Sequence, residues 1–417
     1  MRSHCATHRP KVSTLAIAAS MGVAAILGAP PAPAQTYSVL YSFKGGTTDG
    51  RNPAAGLIID KAGVLFGTAT EGPTCHPTPC STGLGIAFKL TTTGTETIVH
   101  HFTGDPDGAN PYGGMTANPF GATTKGGTSN LGAVFKLSAT GTKVLYNFTG
   151  APGDGAYPYA GLIEDTQGNL YGTTSAGGAF NAGAVFKLDK AGVETLLYSF
   201  TGGADGGTPY GGLLRNSAGT IIGTTSEGGI TTGNCFPNGC GVVFQLSSSG
   251  RQVVLYSFSG TPDGANPYDS LVADSADNLY GTTYNGGTGP CNSGCGTVFK
   301  LQPVSKTETV LYSFAGYPVD GAYPYAGLYR DSSGNLYGTT VYGGTSDNGS
   351  VFEVNTAGTE SLLYSFTGGT DGGLPHGGLV SDTKGNLYGT TYGGGVKNAT
   401  CGGSPKDSCG VVFKLVP

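Results

Sequence analysis

The 417 residues include 76 glycines and 24 prolines, about a quarter of the chain, while 11% are charged and 10% aromatic. So much Gly and Pro breaks helices throughout, and a disordered chain would be rich in charge and poor in aromatics. What remains is an all-β protein with many turns.

The chain opens with Arg2, Arg9 and Lys11 ahead of an apolar stretch over 12–29, followed by Ala32-Pro33-Ala34. This is the layout of a secretory signal cleaved near Ala34, with 35–417 as a single mature domain. A membrane anchor is the alternative, but the apolar run is short and rich in Ala and Gly. No other stretch approaches the ~20 apolar residues of a transmembrane helix. No acid lies in 1–34, so losing its three cations takes the net charge from −5 to −8. That balance leaves no electrostatic footprint for nucleic acid. Beyond Cys5, eight cysteines fall in four close pairs: Cys75 with Cys80, Cys235 with Cys240, Cys291 with Cys295, and Cys401 with Cys409. An even count in an exported chain reads as local disulfides. Metal binding is the rival, yet only His76 stands near a pair in sequence.

Past the leader the chain repeats itself. A motif close to V-L-Y-S-F ends at Phe43, Phe102, Phe148, Phe200, Phe258, Phe314 and Phe366, and V-F-K-L surrounds Phe88, Phe135, Phe186, Phe244, Phe299, Phe352 and Phe413. Between them lie G-L-x-x-D and G-N-L-Y-G-T-T. Each unit therefore predicts four short strands, in the third unit a (161–165), b (169–174), c (184–188) and d (194–200), alternating apolar and polar with hairpin turns. Tandem four-stranded units of this size are the signature of β-propeller blades. A linear solenoid would need atypical capping repeats. Here the mature chain begins with a d strand (37–43) and finishes with a c strand (411–415), so the first can complete the last blade. The sequence predicts seven blades of four antiparallel strands in a closed ring.

The spacing from the Gly of G-T-T to the c-strand Phe is 21, 14, 14, 21, 18, 14 and 24 across the units, and the four long b–c loops are those with cysteine pairs. The c–d separation stays at 13–15 residues. Variable b–c loops and long d–a segments emerge on one face of a propeller, which becomes the candidate working surface. Unit two is abnormal: 114–121 lacks about five residues of the a–b hairpin.

Two features recur in the d–a segments. Asp-Gly occurs at Asp49, Asp107, Asp154, Asp205, Asp263, Asp320 and Asp371, read as turn chemistry; a ring of cation-binding carboxylates, and hence a structural Ca2+, is the sharper alternative. The expectation is no cofactor, the Ca2+ not being indicated by the motif itself. A Pro-Tyr pair precedes strand a at Tyr112, Tyr159, Tyr210, Tyr268 and Tyr325, becoming Pro53-Ala54 in the first unit and Pro375-His376 in the last. These side chains are expected near the channel mouth, as blade packing or as a ligand surface of flat rings with hydroxyl tips. Departures from the repeat are His376, Asp269 after Tyr268, and Glu71, Glu227 and Lys125 just after the Thr pair. A His with carboxylates suits acid–base work, making His376, Asp269, Glu71 and Glu227 the catalytic candidates should the chain be an enzyme. No G-x-S-x-G, H-E-x-x-H, P-loop or EF-hand loop is present.

The repeat wording, L-Y-S-F…D-G…P-x-x-G-L…D-x-x-G-N-L-Y-G-T-T…G-x-V-F-K-L, resembles the GloVer tandem repeat of exported bacterial proteins over nearly all of 37–417, with units one and two departing most. The resemblance implies a secreted or surface protein, often tethered at its C-terminus. Val416-Pro417 ends this chain without an anchor signal, so release into periplasm or medium is expected. The family brings no established catalytic residues. A non-catalytic, monomeric module binding an extracellular polysaccharide or protein is the first reading; a polysaccharide lyase or glycoside hydrolase is the second, on fold alone, and a structural spacer the third.

Overall fold

A computed structural model describes residues 35–417 apart from 47, 73–82, 139–140, 151, 236, 399 and 402–407. The expected disulfide between Cys75 and Cys80 falls outside the described residues, as does the signal segment. Unit three shows why each repeat becomes a blade. Its sheet orders Ile163–Glu164, Leu170–Thr174, Ala184–Leu188 and Glu194–Ser199 as a-b-c-d, all antiparallel. Six such four-stranded sheets and a seventh of three strands form, and the protein is a seven-bladed β-propeller. Strand a is shorter than the sequence predicts, only two residues in the ladder. Its leading residues turn instead to the neighbouring blades at the axis.

The sequence-distant ends meet as expected. Thr36–Ser42 pairs with Val411–Val416 as the outermost strand of blade seven, Tyr37 opposite Leu415. This ladder skips Leu40 between Val39 and Tyr41, the same bulge found at Leu197 in unit three. An N-terminal segment thus copies a d strand down to its irregularity. Blade two is the exception in the ring, a three-stranded sheet of Phe120–Thr123, Ala133–Ser138 and Gly141–Asn147. Its short hairpin survives only as a turn in which Thr116 donates to Phe120 O.

The core sits between blades. The d-strand Phe of each blade meets the c-strand Phe of the next near a right angle: Phe200 with Phe244, Phe258 with Phe299, and, across the closure, Phe43 with Phe88, ring centroids 5.0–5.2 Å apart. All six are fully buried, and this edge-to-face geometry is the one aromatic quadrupoles favour. Strand b must be glycine where it passes the ring, since a Cβ at Gly172 would lie 2.7 Å from Phe186 Cζ. The first Thr of the pair then ties blades together near the axis. Thr173 Oγ1 donates to Gly211 O (2.9 Å), Thr224 to Asp269 O, Thr282 to Ala326 O, and Thr390 to Ala55 O across the closure. Ala122 has no hydroxyl to do this, another mark of the irregular blade two.

Candidate functional site

The d–a segments and b–c loops pair with one another, which puts both on one face as the spacing predicted. Gly264–Ala265 pairs with Asn285–Gly286 and Gly321–Ala322 with Tyr342–Gly343, with single bridges such as Arg51–Glu71 and Gly207–Glu227 elsewhere. The Asp-Gly motif organises this layer. Asp49 accepts from the Tyr41 hydroxyl (2.9 Å), Lys44 N and Gly50 N (both 2.7 Å). Asp263 does the same with Tyr256, Ser259 N and Gly264 N, and Asp320 with Tyr312, Ala315 N and Gly321 N. On the outer strand of blade one His100 replaces the tyrosine, its Nε2 2.7 Å from Asp107 Oδ2. These carboxylates are filled by donors of their own turn, which favours turn chemistry. Among the described residues no three His, Cys, Asp or Glu gather as a metal would need. Of the four expected disulfides, Cys235–Cys240, Cys291–Cys295 and Cys401–Cys409 form, each closing a b–c loop on this face. The fourth pair, Cys75 and Cys80, belongs to the stretch outside the described residues.

Strand a is approached from this layer through the Pro-Tyr pair or its Pro375-His376 counterpart, so six of the seven blades each deliver one aromatic side chain to the axis. The rings run in unbroken succession: Tyr112–Tyr159 at 5.4 Å, Tyr159–Tyr210 4.9 Å, Tyr210–Tyr268 5.5 Å, Tyr268–Tyr325 5.0 Å and Tyr325–His376 5.3 Å between centroids. Ala54 would leave a gap in blade one. Tyr392, from the b–c loop of blade seven, fills it, lying 4.7 Å from His376 and hydrogen bonding to Tyr112. Seven rings therefore close a collar around the channel, and the space within it is only about 70 Å3. That volume admits water and no sugar ring, so anything larger meets the collar from outside. Each of the seven is half-buried. These side chains pack on one another, and part of each ring stays accessible.

Burial raises the pKa of every collar tyrosine, most strongly Tyr112 and Tyr325. Their hydroxyls stay protonated, able to donate and accept at any physiological pH. Burial pushes His376 down to about 4, leaving a neutral imidazole. Asp269 also lines the collar, but its carboxylate is engaged: Oδ1 accepts from Ser270 N and Oγ, and Oδ2 from Gly327 N of the next blade (2.7 Å). Glu71 and Glu227 stand outside the collar lining. Glu71 ion-pairs with Arg51 near Tyr112 and Tyr392, while Glu227 accepts from the Thr208 hydroxyl (2.8 Å) near Tyr210 and Tyr268. The backbone of Lys125 pairs with that of Ala109. The four acid–base candidates thus divide between the collar and two separate blades. Tyr392 was the member that sequence reading missed. Its signal was a Tyr where units one to four carry Thr or Ser, beside the one unit that holds Ala54.

A tandem-repeat propeller with an aromatic collar on its loop-rich face is the class that fold and site define. Within that class, the model of the Gloeobacter/Verrucomicrobia repeat matches residues 30–236 and 230–404, and the chain belongs to that family. No curated protein matches it. Among solved structures it is similar to the extracellular domain of a candidate one-component system of B. thetaiotaomicron, at 11% identity and TM-score 0.52, over 90% of this chain and 40% of that one. It thus spans about two-fifths of that relative's length. Others are a gluconolactonase of Xanthomonas campestris (13% identity, 91% and 89% of the two chains, TM-score 0.43) and a candidate 6-phosphogluconolactonase of Bacteroides uniformis (15%, 80% and 88%, 0.49). At 11% identity the first likeness is one of fold alone.

Proposed function

We propose that this protein is an exported binding module that engages an extracellular glycan, polymer or protein through the face carrying the collar. The closed aromatic collar carries the reading. It gathers half-buried rings and protonated hydroxyls at the centre of the one face where loop length varies, and amphipathic aromatics of this kind dominate recognition surfaces. Three loop disulfides suit an oxidising compartment, and no helix among the described residues is long and apolar enough to cross a membrane. The mature protein, 35–417, is to be tested against immobilised polysaccharides and envelope proteins, with soluble product measured in the same wells. Retention by at least one partner without product release is expected. Retention with product release would favour the lyase or hydrolase reading, and no retention by any partner would favour the spacer.

A further inference from the structure

We infer that blades four to six carry a binding site for a neutral oligosaccharide, made of a tyrosine track beside an amide-lined cleft; this deepens the binding reading above and rests on it. The track leaves the collar at Tyr268. Tyr284 meets it edge-on at 5.3 Å, Tyr323 stacks on Tyr284 at 4.9 Å with planes 30° apart, and Tyr342 lies edge-on to Tyr323 at 6.1 Å. Tyr284 and Tyr342 come from b–c loops, Tyr323 from a d–a segment, and each is half-buried. Successive aromatic faces of this kind suit the apolar faces of sugar rings.

The repeat itself shows that the scaffold does not require these tyrosines. The position of Tyr284 holds Ser175 and Ser226 in blades three and four. That of Tyr342 holds Ala176 in blade three, and that of Tyr323 holds Asn52, Asn110 and Asn266 elsewhere. All of these fold into the same bridges. Tyr157 and Tyr392 recur singly at equivalent positions, but among the described residues only around blades five and six do three such tyrosines join a collar ring in one chain of contacts.

Next to the track, between blades four and five, opens a cleft of about 580 Å3, within the range of ligand sites. Its walls are the loops closed by Cys235–Cys240 and Cys291–Cys295, its polar lining is Asn234, Asn238, Asn266, Asn285, Thr261 and Ser293, and among the described residues none that lines it is charged. Amides and hydroxyls both donate and accept, the pairing that vicinal sugar hydroxyls need, and the missing charge argues against an acidic glycan or a phosphate. The floor is set in advance: Asn266 Nδ2 donates to Ser226 O (2.8 Å), and Asn285 Nδ2 to Asn266 Oδ1 (3.0 Å). Asn285 directly follows Tyr284, and Asn266 stands two residues before Tyr268, so cleft and track share a border.

The test uses mature protein and two variants: a triple variant of substitutions that the chain already tolerates at equivalent positions, Tyr284→Ser, Tyr323→Asn, Tyr342→Ala, and separately Asn285→Asp, which puts a charge into the cleft. Calorimetric titration with neutral hexasaccharides (β-1,4-glucan, β-1,3-glucan, mannan, xylan, chitin) and one uronic-acid hexasaccharide is read beside Tm. Binding of at least one neutral ligand is expected, weakened tenfold or more in the triple variant and in Asn285→Asp. The same affinity as wild type is expected in Val304→Ser on the opposite face. Tighter binding of the uronic acid overturns the assignment of ligand class. Undiminished binding by the triple variant, with loss on Tyr159→Ala in the collar, overturns the track while the general binding reading stands. Failure of the wild type to bind any ligand here or in the broader panel removes both.

Discussion

A Cβ at Gly338 would lie 2.4 Å from Phe352 Cζ, the tightest of the contacts that strand b makes with the ring behind it. Gly338→Ala must displace a fully buried ring in a core packed to solid density, and is expected to cost about 1–3 kcal/mol. Phe352→Ala should cost more, about 3–5 kcal/mol, because it empties the slot between Phe314 and strand b. Denaturant midpoints of the two variants give the order. His376 makes a different prediction. Burial holds its pKa near 4 against 6.5 in the unfolded chain, so as pH falls below 6.5 the unfolded state takes up a proton that the folded state refuses, and stability drops. His376→Tyr, the residue at five of the other six positions, should weaken that loss. Melting temperatures at pH 7 and pH 4.5 measure it, and an equal drop in both proteins would refute it.

At the scale of the element, the outer strands of neighbouring blades share an arrangement that no single repeat displays. Six residues before each d-strand Phe stand Tyr37, Glu96, Thr142, Glu194, Gln252, Glu308 and Glu360. In the structure each lies against the Asp-Gly turn or its partner from the blade before. Gln252 Nε2 donates to Asp205 O at 3.2 Å, Tyr37 OH to Asp371 O at 2.5 Å, and Thr142 pairs with His100. The four glutamates occupy the same place, each with Oε1 buried and unpartnered. Burial, then the facing Asp carboxylate, push all four up to about 7; Glu96 also has Lys44 nearby, which works the other way. Asp49, Asp154, Asp263 and Asp320 are the facing acids, with Tyr41, Tyr146, Tyr256 and Tyr312 beside them. The folded chain thus holds protons that the unfolded chain releases near its ordinary carboxylate pKa. This stability is fully present below about pH 4.5 and is lost as pH rises through 7. Glu308→Gln copies the neutral donor of Gln252. It should raise stability at pH 8 by the order of 1 kcal/mol, since water still screens a half-buried site, and by nothing at pH 4.5. An identical gain at both pH values would show that ionisation is not the cause. The repeat, the strand count and the shared face of the loops were legible from Phe spacing and loop length. This pairing was not, because it joins residues about 45 positions apart whose adjacency exists only once the ring is laid out. The same holds for Tyr392 in the collar: only the closed ring sets it against His376 on one side and Tyr112 on the other.

For the whole molecule the decisive interactions are those that make the ring a ring. Thr36–Ser42 supplies the fourth strand of blade seven, places Phe43 against Phe88 of blade one, and sets Tyr37 on Tyr364 of blade six at 3.9 Å. One short segment therefore touches three blades. The disulfides do none of this: they join residues 5, 4 and 8 apart, and the entropy such short loops remove lies below the ~3 kcal/mol of a 15-residue loop. Reduction should then leave the strand signal in circular dichroism intact and lower Tm modestly, its main effect falling on the cleft walls. Deleting 35–43 should be far worse. It opens Val411–Val416 as an unpaired, largely buried edge, the kind of surface that recruits other strands, and strips Phe88 of its stacking partner. The truncated protein is expected to form oligomers or aggregate, and a synthetic 35–45 peptide added in excess should restore the monomer by strand addition. Sedimentation of the truncated chain with and without peptide decides the matter: a truncated protein that stays monomeric and melts with wild-type Tm would mean that the ring does not depend on this closure.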